Sequence, residues 1–144
     1  MSALNPALVL AVLAGAAIGI QVVANTIGMK SLGIGGLVGV SGLTTGVVGF
    51  AVAFFLSRPE FTGRALTFAV ASGILGAFIV SAITLAADQS GLAQTLSLVI
   101  ASQLIVGLVI DRLGLFGPAA ADIGLVKVLG IVFILVGGVL VVRG

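Results

Sequence analysis

The chain has 144 residues, of which 60% are hydrophobic and only 7% are charged. A soluble domain carries about 25% charged residues to coat its surface, so this composition excludes a water-soluble fold. Six basic and four acidic residues leave no basic footprint for nucleic acid. The lack of cysteine and histidine removes disulfides, thiol and imidazole catalysis and the commonest transition-metal ligands.

A hydrocarbon layer of about 30 Å takes roughly 20 apolar residues in a helix. Four uncharged runs meet that length: Met1–Met29, Ser31–Ser57, Ala65–Ala87 and Gln89–Ile110. The runs do not alternate in and out, which argues against a membrane β-barrel.

The first helix is expected over Pro6–Ile27, with Asn5 as its cap and Pro6 in its first turn. It has no basic n-region, so it reads as a membrane helix and not as a secretory signal. Met1-Ser2 offers no myristoylation glycine. Gln21 and Asn25 are four apart and share a face with Ala14 and Ile18. Two amides on one stripe suit either a polar ligand or a neighbouring helix, and Asn25, near the end, also suits capping.

The second helix is expected over Ile34–Leu56. Gly35, Gly39, Gly42, Gly46 and Gly49 follow steps of four and three, which places them on one stripe. In lipid, helices associate by close approach at small residues, so the stripe reads as a packing seam. Ser41, Thr44 and Thr45 are either hydroxyls bonded back to their own helix or ligand contacts. The segment Ser57–Arg64 has loop chemistry.

The third helix is expected over Ala65–Ala87. Ala77, Ser81, Thr84 and Asp88 form a stripe from small to polar that suits an aqueous vestibule. Asp88–Gly91 is a tight connection to the fourth helix, Leu92–Ile110. Gln103 is the deepest amide of the chain, a candidate for substrate or gating contact or for a hydrogen bond to another helix. The Gly/Pro-rich connector from Asp111 to Pro118 is too short to span and is expected at the interface. The fifth helix, Gly124–Val142, carries Lys127 near its start, where a long stem lets the amine reach the headgroups.

Glu60, Asp88, Asp111 and Asp122 all fall in loops or at helix ends. Proton coupling needs a carboxyl in the cavity, so Asp88 and Asp111 serve only where a cavity reaches them. Asp111-Arg112 reads alternatively as a boundary marker. No hydrolytic, phosphoryl-transfer or metal constellation is present, and no phosphate loop, which implies neither an enzyme nor a cofactor. The loops on the N-terminal side carry Arg58, Arg64, Arg112 and Lys127, against Lys30 and Arg143 opposite, a weak bias toward a cytoplasmic N-terminus. With five spans the termini lie on opposite faces, the topological root of inverted-repeat transporters.

Three segments carry a family resemblance: Leu13–Asn25, Ser102–Gly117 with its Ser-Gln…Ile-Asp…Gly pattern, and Leu129–Leu140. They resemble the YdcZ-like branch of the drug/metabolite transporter superfamily, and the likeness covers nearly the whole chain. It implies one all-α integral membrane domain over residues 1–144, with five transmembrane helices, half of a ten-helix inverted-repeat transporter. It implies a multi-pass protein of the bacterial inner membrane that exports a small molecule. Its partners would be the lipid bilayer and an antiparallel second copy or a sister subunit. Gln21, Asn25 and Gln103 map to the family's recurring polar positions. Together with Thr44, Thr45, Ser81 and Thr84 they form the candidate substrate set. The central cavity is expected among the first four helices, with the fifth peripheral or stabilising the dimer. A passive dual-topology channel and a non-transporting structural subunit are the alternatives.

Overall fold

The computed structural model describes residues 5–56, 59–114 and 124–144. Among them all regular structure is helical: α1 (Pro6–Leu56), α2 (Gly63–Ser90), α3 (Leu92–Arg112) and α4 (Leu125–Arg143). All four are long and apolar enough to cross a membrane. The expected connector after Gly114 and the residues Ser57, Arg58 and Asp122 lie outside the described residues.

The two helices expected at the N-terminus differ from the observed α1. Its 51 residues would measure about 76 Å as one rod, far more than the roughly 30 Å of hydrocarbon. The rod is broken at Gly33, with φ 65° and ψ 168°, a backbone region that only glycine enters readily. The expected loop between Ile27 and Ile34 therefore shrinks to a single residue. Residues 28–32 stay helical because unpaired backbone groups are costly near lipid. The chain folds back there: a Cβ on Gly28 would lie 3.3 Å from Leu37 Cδ1. Nine residues along an unbroken helix would separate the two by about 13 Å.

The other ends shift for the same reason. The expected connection Asp88–Gly91 reduces to Gly91 (φ 85°, ψ 158°), with Asp88, Gln89 and Ser90 still helical. At the start of α2, Gly63 and Arg64 join the helix, and the Thr62 hydroxyl caps it by accepting from the Ala65 N–H at 3.3 Å.

The fold divides into two units, residues up to Asp88 and residues from Gln89 on. The second unit centres on an antiparallel α3–α4 pair. At one end Gln94 Nε2 donates to the Val142 carbonyl at 3.4 Å. At the other, Lys127 Nζ donates to Asp111 Oδ2 at 2.5 Å. Between them Gly138 faces Ser97, where a Cβ would make ordinary contact at 3.6 Å from the Ser97 carbonyl oxygen. Lys127, expected to reach for the headgroups, is thus fastened to α3.

Only Val22 and Leu37 are buried apolar side chains among the described residues. Leu43, Phe78 and Val126 are 73%, 69% and 84% exposed. An apolar surface of this extent is stable only in lipid, and the chain is an all-helical integral membrane protein.

Candidate functional site

The site lies in the first unit, built from both arms of α1 and from α2. Because α1 turns back at Gly33, Gln21 of its first arm faces the same space as Ser41 and Thr45 of its second. On α2 the steps Ala69, Ser72/Gly73, Gly76/Ala77 and Val80 bring one helix face to that space. The result is a groove of about 680 Å³.

Its floor is glycine from two helices. Gly42 and Gly46 come from α1, and Gly73 and Gly76 from α2. A Cβ on any of the four would meet nothing within 4 Å. Glycine here leaves volume unfilled and does not admit a neighbouring backbone. Gly35, Gly39 and Gly49 are equally open within the first unit. Gly46 and Gly49 also line a smaller apolar recess of about 280 Å³ beside Phe50 and Phe61.

Four side chains supply polarity. Ser41 donates to the Val38 carbonyl at 3.2 Å and Thr45 to the Ser41 carbonyl at 2.9 Å. Both oxygens keep lone pairs for another partner. Gln21 and Ser72 form no side-chain hydrogen bond among the described residues. Among the described residues no ionisable side chain lines the groove.

The remaining candidates scatter around it. Asn25, one turn beyond Gln21, is 8% exposed. Thr84, one turn beyond the groove residue Val80, is fully buried, and its Oγ1 has no hydrogen-bond partner. Ser81 is half-buried and bonds back to the Ala77 carbonyl at 2.8 Å. Thr44 is exposed and bonds back to the Val40 carbonyl at 2.9 Å, outside the groove. Gln103 is exposed on α3. Asp88 is exposed at the end of α2, and Asp111 is held by Lys127. No cluster that would hold a metal ion occurs among the described residues.

Sequence reasoning singled out Gln21, Thr45, Gly42 and Gly46, and the fold brings these together. It missed Ser72, a lone hydroxyl in an aliphatic run. The signal was the run of small residues Ala69, Ser72, Gly73, Gly76 and Ala77, whose spacing repeats the glycine stripe of the preceding helix.

No curated protein and no solved structure matches the chain. A family model described as "Putative inner membrane exporter, YdcZ" matches residues 6–140. That match spans both arms of α1, the groove and the α3–α4 pair. The chain belongs to the YdcZ family of the drug/metabolite transporter superfamily, multi-pass transporters of the inner membrane.

Proposed function

We propose that the chain exports a small molecule by alternating access, working as an antiparallel dimer in which each copy contributes its groove to a cavity near the bilayer midplane. The observation that carries this reading is the unfilled glycine floor facing Gln21, Ser41, Thr45 and Ser72. Volume is costly to leave empty in a packed membrane protein, and here polar groups border it. The break at Gly33 supports reading α1 as two crossings; on that reading the chain crosses five times and its ends face opposite sides. A second copy inserted the other way up then supplies an inverted repeat, and the near-balanced loop charges permit both insertions. Gly35 and Gly39, outside the groove, are the surface along which the copies slide.

Thr84 and Asn25 extend the polar lining beyond the groove's edges. Gln103 meets the second copy across the dimer. Asp111 is a fastening of the α3–α4 pair and not a coupling group. The α3–α4 pair is the stabilising part of each copy.

Tags on both termini, read in intact cells and in permeabilised cells, test the dimer. Two orientations of each terminus are expected, and one uniform orientation of the only copy present removes the homodimer. Counterflow in proteoliposomes tests the mechanism. A carrier shows saturable exchange, while a passive channel or a structural subunit shows none.

A further inference from the structure

We infer that the groove takes an uncharged small molecule with an apolar body and a hydrogen-bonding head, an inference that rests on the transport reading above. The lining decides the charge. Its polar groups are one amide and three hydroxyls, and the rest is glycine, Val38, Ala69, Ala77 and Val80. A bare cation or anion entering such a space loses its water and finds only dipoles, with no countercharge. A neutral amide or alcohol exchanges hydrogen bonds to water for equivalent ones to the lining.

The hydroxyls decide the polarity of the contacts. Ser41 and Thr45 direct their protons to their own helix, at 3.2 and 2.9 Å, so they meet a ligand as acceptors. Gln21 brings both donors and an acceptor, and Ser72 brings one hydroxyl of either sense. The fitting head therefore donates to α1 and accepts from Gln21, as a carboxamide does. The volume of about 680 Å³ falls in the usual range for small-molecule sites, roughly 300–1,000 Å³.

One further side chain also points to a missing polar partner. Thr84, one turn past Val80 on the groove face of α2, is fully buried with its Oγ1 unpartnered. Buried polar groups are almost always satisfied, so this unpartnered hydroxyl on the groove face of α2 indicates a polar guest.

The test uses the purified full-length protein and three probe series at neutral pH: alkanamides, alkylammonium ions and alkanoates, matched in tail length. Thermal unfolding reports binding, and current across a supported membrane reports net charge moved. The alkanamides should raise the unfolding temperature, with both charged series about tenfold weaker, and should move without current. Gly42→Leu should remove the alkanamide shift by filling the floor. Gly42→Ala, whose Cβ meets open space, covers the case in which leucine prevents folding. Gly130→Ala on α4 should leave the shift intact. Preference for a charged series that Gly42→Leu abolishes overturns the uncharged class and leaves the transport reading standing. Absence of any shift sensitive to Gly42 overturns the groove as a binding site, whether a lipid chain or the second copy fills it. Counterflow then reports separately whether the chain transports at all.

Discussion

The two units of this chain use glycine in opposite ways. In the first, Gly42, Gly46, Gly73 and Gly76 leave space that no side chain fills. In the second, Gly138 faces the Ser97 carbonyl across a packed helix pair, and polar contacts close both ends of the pair. The same residue type thus makes a groove in one place and a joint in the other. The deciding factor is whether another backbone arrives at the missing Cβ. A small-residue stripe alone does not distinguish the two uses.

The contrast is sharpest under substitution. Gly42→Leu should abolish counterflow while the unfolding temperature stays near that of the natural chain, because the added side chain enters open space. Gly138→Leu should do the reverse: it overpacks the α3–α4 joint and destabilises by about 1–3 kcal/mol, with counterflow per folded molecule retained. If both variants lose stability equally, the two glycine faces are not different in kind. Gly33→Ala should destabilise by about 1–3 kcal/mol, since alanine is strained at φ 65° and ψ 168°. Equilibrium unfolding in detergent reads both values.

Smaller effects probe single side chains. Thr84→Val removes a buried hydroxyl that has no partner among the described residues. It should raise stability by about 1 kcal/mol and weaken ligand binding, a pairing that simple packing does not produce. Asp111→Asn should lower stability by only about 0.5 kcal/mol, because the Lys127 pair is partly exposed and screened. A large loss of counterflow in that variant would restore Asp111 as a coupling group.

Much of this was legible in the residues. Runs poor in charge located the long apolar helices, because lipid tolerates little else. The helix ends were read short at Gly28–Leu32 and at Asp88–Ser90. Glycine and polar residues there resemble loops, yet the backbone keeps its hydrogen bonds up to the one glycine with positive φ. Gln21 and Thr45 stood out as polar groups at membrane depth. Ser72 did not, because a single serine in an aliphatic run has no local signature and its role depends on which helix faces it. The Lys127–Asp111 pair was equally hidden, since it joins residues 16 apart through a connector whose path no local pattern dictates.

The central claim is that the groove of the first unit is a water-reachable path for solute. The chain has no cysteine, so Ser41→Cys, Thr45→Cys and Ser72→Cys each introduce a single thiol. Accessibility of these thiols to a membrane-impermeant reagent in sealed vesicles is the most direct measurement. All three should react, while a cysteine at lipid-facing Leu43 should not. Protection of all three, equal to that at Leu43, would mean that lipid fills the groove and would contradict the account.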